Sequence, residues 1–174
     1  MKITTFAAIY IGSYEVSLKI FEISPKKAIR EIDHVRARVE IGKDCYQKGN
    51  IGYELMDELG NLLLEYKKIM EGYRTDAYEA YAGGVFRDIK NELFVLDQLY
   101  IRTGIRIKVP SNSEHRFIGY KAVAFRQEFD EMTRQGAAVV DVGGGNLQVT
   151  VFSGGRVITS QHMVLGIMRL REQL

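Results

Sequence analysis

Apolar and polar positions alternate along Ala7-Ala-Ile-Tyr-Ile11 and again along Val16-Ser-Leu-Lys-Ile20, with Gly12 and Ser13 between them. A period of two on either side of a glycine predicts a strand, a tight turn and a second strand. Alternation resumes over residues 28–41 and stops at Gly42, so the chain opens as a three-stranded antiparallel meander. Over residues 50–70 the period lengthens: Leu55, Leu59, Leu62, Tyr66 and Ile69 share one face of an amphipathic helix. Gly60 weakens the middle of that helix by about 1 kcal/mol. Residues 77–82 form a short strand running into Gly83-Gly84, and residues 88–102 follow a helical pattern closed by Gly104. Another strand spans residues 105–109 until Pro110 breaks it. Ser111 and Glu114 then have the spacing of a capping box at the head of a helix reaching about Met132.

The opening unit recurs. Residues 138–152 repeat residues 7–21 in degenerate form, aligning Ala7 with Ala138, Ile9 with Val140, Gly12 with Gly143 and Phe21 with Phe152. One aligned pair differs drastically in chemistry: Tyr10 faces Asp141. The chain therefore reads as βββαβαβα over residues 1–132, followed over residues 133–174 by βββ and the first turn of a helix. A second meander without a covering helix leaves an apolar face, either Val139, Val149 and Val151 or their alternating neighbours, in water. Burying that face requires further chain or a second copy, and the second copy would make a homodimer.

A length of 174 residues allows one domain or one and a half. A formal net charge of +2 with interleaved signs gives no long-range reason to expect nucleic acid as partner. No apolar run approaches the roughly 18 residues of a membrane span, and the N-terminus enters a strand pattern instead of a secretory leader, so no membrane partner and a cytoplasmic location are expected. The single cysteine, Cys45, excludes an internal disulfide, and three histidines without paired spacing match no familiar zinc cluster.

Candidate chemistry concentrates at the second turn. An acid that ends a buried strand before glycines can hold a metal or a water beside a phosphate while backbone N–H groups cradle the anion. Asp141 fits that description, and equally that of a turn residue bonding the next N–H groups. Gly143-Gly144-Gly145 costs entropy unless the backbone needs an unusual φ or a close approach; a phosphate turn and a tight hairpin both supply a reason. Arg87, after Gly83-Gly84 at the start of a helix, can clamp a phosphate or pair with Asp88 or Glu92. Glu114 is accounted for by its cap. Arg36, Arg38, Lys43 and Lys48 either edge an anionic cleft or face solvent along a strand.

The element order resembles the α/β, ribonuclease H-like architecture of actin, sugar kinases and heat-shock ATPases. Several segments are similar to the exopolyphosphatase/guanosine pentaphosphatase (Ppx/GppA) family. Ala7-Ala-Ile-Tyr-Ile-Gly-Ser13 resembles its opening Ala-Ala-Ile-Asp-Leu-Gly-Ser, and Ala82-Gly-Gly-Val-Phe-Arg-Asp-Ile-Lys-Asn91 its Ala-Thr-Ser-Ala-Leu-Arg-Glu-Ala-x-Asn. Thr103-Gly-Ile105 with Glu114-His-Arg116 follows Thr-Gly-Ile and Glu-Glu-Ala-Arg. Val139-Val-Asp-Val-Gly-Gly-Gly-Asn-Leu-Gln148 follows Val-Ile-Asp-Ile-Gly-Gly-Gly-Ser-Thr-Glu, and Leu165-Gly-Ile-Met-Arg-Leu170 its Leu-Gly-Ala-Val-Arg-Leu. The resemblance implies magnesium-dependent removal of terminal phosphate from polyphosphate or guanosine pentaphosphate, with guanosine tetraphosphate as a further ligand. It implies catalytic roles for Glu114, His115 and Asp141, magnesium at Asp141, and phosphate contacts from Gly12, Ser13, Arg87, Gly143, Gly144, Gly145 and Asn146. Up to three of the family's acids are changed: Tyr10 stands at the first turn and Gln148 at the end of the glycine turn, while the presumed general base is His115, or Glu114 if the alignment slips by one residue. Hydrolysis is therefore expected to be weak or lost, with two alternatives: a non-catalytic polyphosphate or nucleotide sensor, and a structural lobe.

Overall fold

The computed structural model describes residues 3–25, 28–124 and 129–171. They group into two compact units that divide between Val109 and Pro110.

In the first unit the meander is β1 (Thr4–Ile11), β2 (Glu15–Ile23) and β3 (Ile29–Arg38). After β3 come α1 (Ile41–Lys48), α2 (Tyr53–Gly72), β4 (Ala77–Ala82), a 3-10 turn at Gly84–Asp88, α3 (Glu92–Thr103) and β5 (Ile107–Lys108). The sheet order is β3-β2-β1-β4-β5. The meander pairs antiparallel, while β4 joins β1 and β5 joins β4 in parallel. Parallel neighbours need a crossover, which α1 with α2 supplies before β4 and α3 before β5. Alternation works as read: Ala7, Ile9 and Ile11 of β1 and Val16, Leu18 and Ile20 of β2 are all buried. They belong to one core cluster with Leu59, Leu63 and Tyr66 of α2 and Val95 and Leu99 of α3. Tyr66 brings its hydroxyl into that core and donates it to the Val16 carbonyl at 2.8 Å.

Three local expectations are corrected. The third strand ends at Arg38 and not at Ile41, which opens a helix over residues 41–48; Ile41 and Cys45 are buried, and Gly49 in the left-handed region (φ 68°) ends the turn. The buried stripe of α2 runs along Met56, Leu59, Leu63, Tyr66 and Met70, with Leu55, Leu62 and Ile69 at its margin. Gly60 lies in the stripe because Arg102 of α3 crosses it: a β-carbon there would meet Arg102 Cδ at 2.8 Å. Arg102 then bonds Asp57 and Asn61, each at 2.7 Å. Finally, α3 starts at Glu92, not residue 88, because Asn91 turns away to pair both its amide groups with the Ile51 backbone. Gly104 closes α3 as expected, at φ 72°.

The second unit contains α4 (Asn112–Ala124), α5 (Phe129–Gln135), β6 (Ala137–Val142), β7 (Leu147–Ser153), β8 (Arg156–Met163) and α6 (Ile167–Arg171). The sequence suggested one helix where α4 and α5 stand; residues 125–128 lie outside the described residues, as do residues 172–174 of the last helix. The strands form an antiparallel sheet in the order β6-β7-β8. Its register places Val139, Thr150 and Phe152 on one face, which α4 and α5 cover. Tyr120 and Phe129 pack edge-on to Phe152, with ring centres 5.7 and 5.5 Å away. Val140, Val142, Val149 and Val151 point the other way, and Val140 and Val142 are more than half exposed, at 56% and 54%. The open apolar face expected from the sequence is present, with Val139 on the covered side.

Candidate functional site

The duplication read from the sequence recurs in the hydrogen bonds. Gly12 N–H donates to the Glu15 carbonyl at 2.9 Å, and Gly143 N–H donates to the Asn146 carbonyl at 2.8 Å. Just before each turn the equivalent residues pair across the strands, Tyr10 with Ser17 and Asp141 with Gln148. The two hairpins share a backbone and differ in side chains.

At the first turn the phenol reaches sideways. Tyr10 Cε1 is 3.4 Å from a β-carbon built on Gly12, and the hydroxyl is 2.8 Å from one built on Gly83. Gly83 N–H in turn donates to the Ile11 carbonyl at 2.8 Å, holding the heads of β1 and β4 together. Ser13 is committed to α1: its hydroxyl shares a 2.9 Å hydrogen bond with Tyr46, and its carbonyl accepts Gly42 N–H at 2.7 Å. Tyr14 lies under the Arg38 guanidinium at 4.9 Å. Aromatic rings thus crowd a turn where the second copy carries an acid. Arg87 sits in the 3-10 turn, half-buried, and not at the head of a longer helix as expected.

At the second turn, Asp141 lines a cleft of about 290 Å³ with Val139 and Val140 of β6, Gln148 and Thr150 of β7, and Arg116, Gly119, Tyr120 and Val123 of α4. The acid and the amide that face each other across β6 and β7 therefore open into one space. Tyr120 anchors α4 to this sheet, its hydroxyl hydrogen-bonded to Thr150 Oγ1 and donating to Ser160 Oγ at 3.4 Å. Arg116, Tyr120 and Thr150 were not singled out by sequence reasoning. Arg116 lay within a quoted motif, and its spacing of four residues from Tyr120 was the available signal.

Gly143 lies outside the left-handed region and needs no unusual φ. Close approach by the chain itself makes its demand at Gly166. A β-carbon on Gly166 would fall 2.3 Å from the Gly144 carbonyl oxygen and 2.5 Å from Asn146 N. The turn carbonyls receive the start of α6: Ile167 N–H donates to Gly143 at 3.1 Å, Met168 N–H to Gly144 at 2.8 Å and Arg169 Nε to Gly145 at 2.9 Å.

Glu114 makes the capping box. Its carboxylate accepts Ser111 N–H at 2.8 Å and its own N–H donates to Ser111 Oγ at 3.2 Å; the Ser111 N–H first, and the Ser111 hydroxyl second, hold its carboxyl below the usual range. His115 follows, half-buried, with its N–H on the Ser111 carbonyl at 2.9 Å. Neither residue lines the cleft that Arg116 enters. Among the described residues, no three His, Cys, Asp or Glu side chains gather to hold a metal. Asp141 and the Gln148 amide oxygen suit magnesium in the mode where phosphates and waters complete the shell.

A meander extended in parallel by β4 and β5, followed by a second meander with the same turn, defines the ribonuclease H-like fold of the actin type. Residues 19–174 match the model of the Ppx/GppA phosphatase family, and the chain belongs to that family. Among solved structures it resembles a Ppx/GppA family member from Aquifex aeolicus at 26% identity and TM-score 0.79, covering 98% of this chain and 54% of the other. An exopolyphosphatase from Cytophaga hutchinsonii superposes with TM-score 0.87 at 19% identity over the same shares of the two chains. The ethanolamine utilization protein EutJ from Carboxydothermus hydrogenoformans shares the fold at 13% identity and TM-score 0.50, covering 95% of this chain and 54% of the other. The chain thus spans about half the length of these structures. No curated protein sequence matches it.

Proposed function

We propose that the chain is the N-terminal part of a phosphoanhydride-binding protein, taking polyphosphate or guanosine penta- or tetraphosphate, in which hydrolysis is weak or lost. The observation that carries this reading is the Tyr10 phenol lying against Gly12 and Gly83, where the second copy has Asp141. Water attacking a terminal phosphoryl group needs a carboxylate to orient it, and donors or cations to meet the developing charge. Tyr10 offers no carboxylate, Gln148 has no charge, and Glu114 is turned into its cap. Losing one organising acid costs roughly a hundred- to ten-thousandfold in rate, and losses within one unit do not simply add. Asp141 remains as the acid of the cleft, with Gln148 beside it as an oxygen ligand. Magnesium, when bound, neutralises charge on the phosphoryl oxygens. A cytoplasmic location goes with this reading; among the described residues no helix is long and apolar enough to cross a membrane.

The test is hydrolysis of long-chain polyphosphate by the protein and by its Tyr10→Asp, His115→Glu, Gln148→Glu triple variant, in the longest natural form that carries this chain. A gain of a hundredfold or more supports a decayed hydrolase. No gain, with saturable binding retained, supports the non-catalytic sensor instead.

A further inference from the structure

We infer that Arg116 clasps the phosphate chain in the cleft under α4, next to the Asp141–Gln148 pair; this rests on the reading of that cleft as a phosphoanhydride site. Residues 116, 119, 120 and 123 have the spacing of one helix face, and that face forms one wall of the cleft. Arg116 is the cation among the lining residues and Asp141 the acid. An anion entering this space is therefore drawn by Arg116 and repelled by Asp141, unless a divalent cation bridges the phosphate to the carboxylate.

One contact holds the helix that carries Arg116 and another touches its guanidinium. The Tyr120 hydroxyl, one turn further along α4, ties the helix to Thr150 and Ser160 of the sheet. Arg116 Nη2 donates to Ser113 Oγ at 3.3 Å, within the turn that the Ser111–Glu114 box caps. That bond uses one of the five N–H donors of the fork, whose planar geometry matches two oxygens of one phosphoryl group. With Arg116 and Asp141 lining the same cleft, one phosphoryl group meets the guanidinium while its neighbour lies toward Asp141 and Gln148, where a divalent cation would offset the repulsion. Linear phosphoanhydrides answer this arrangement better than orthophosphate, which supplies one group only.

Calorimetric titration of the protein, Arg116→Gln and Arg116→Lys with tripolyphosphate and with orthophosphate, each with and without magnesium, tests the assignment. Arg116→Gln is expected to weaken tripolyphosphate binding about ten- to hundredfold and to reduce its salt dependence. Arg116→Lys should recover part of the affinity, having the charge without the fork. Unchanged affinity in Arg116→Gln, with tripolyphosphate still binding the parent protein, overturns the role of Arg116 alone. A parent protein that fails to bind tripolyphosphate, with or without magnesium, overturns the cleft reading and this inference with it. Loss of affinity together with a lowered melting temperature, not rescued by lysine, assigns Arg116 a structural role and likewise overturns the inference.

Discussion

The hydroxyl of Tyr10 stands 2.8 Å from the position a β-carbon on Gly83 would take, so these two residues compete for one space. Tyr10 is 41% exposed, so its ring borders solvent on one side. Gly83→Ala is therefore expected to displace the ring at a cost of about 1 kcal/mol, and to cost less in a Tyr10→Ala background. A double-mutant cycle by chemical denaturation measures the coupling. Additive effects would show that the ring does not occupy that space.

Gly166 meets backbone and not a movable side chain, so a methyl group there has nowhere to go. Gly166→Ala should destabilise the second unit by about 3 kcal/mol, or detach α6 from the glycine turn. Hydrogen exchange at Ile167 and Met168, whose N–H groups bond the Gly143 and Gly144 carbonyls, distinguishes the two outcomes.

The capping box carries a pH signature. Ser111 N–H first, and the Ser111 hydroxyl second, lower the Glu114 pKa in the folded state. The contribution of the ionised cap to α4 is thus complete above the unfolded carboxyl value of about 4.3 and is lost as pH falls through the lower folded value. A side-chain NMR titration of Glu114 should show a midpoint below that of an unstructured glutamate. Glu114→Gln should remove this pH dependence from the helix.

Cys45 and Tyr66 titrate in the opposite sense. Burial first, then the charges of Asp44 and Asp88, push the Cys45 thiol up to about 12, and burial first, then Glu15, raises Tyr66 to about 12. Both groups stay protonated in the folded chain while their unfolded counterparts ionise, so stability falls as pH rises above about 9 toward 12. Native Cys45 should resist alkylation at pH 8 and react only on unfolding. Tyr66→Phe should cost about 1 kcal/mol through the lost bond to Val16.

Period-two alternation made β1 and β2 legible, because each keeps one face on a packed layer, and β6 and β7 were legible as the second copy of that unit. The duplicated turn was legible because both copies keep a glycine at the position whose N–H closes the hairpin. Helix α1 was not: its buried Ile41 closes the alternating run of the preceding strand, and Cys45 alone, four residues on, gives no helical period. The start of α3 was hidden because Asn91 is tied to Ile51, a contact forty residues distant in sequence. For the same reason the cleft was half visible. Asp141 and Gln148 declare themselves beside the glycines, whereas Arg116, Tyr120 and Thr150 meet only when α4 packs on the sheet. Three consecutive glycines look alike whether a ligand or the chain's own Gly166 comes close.

The matching closure of the two hairpins bears on how this protein changes over time. Since Gly12 and Gly143 make the same backbone bond beneath Tyr10 and Asp141, exchanging a phenol for an acid asks for no new fold. Tyrosine and aspartate codons, like those for glutamine and glutamate, stand a single nucleotide apart. Chemistry at these turns is therefore free to drift away and return on a frame that selection on folding alone preserves, and descendants that differ in activity should superpose through their hairpins.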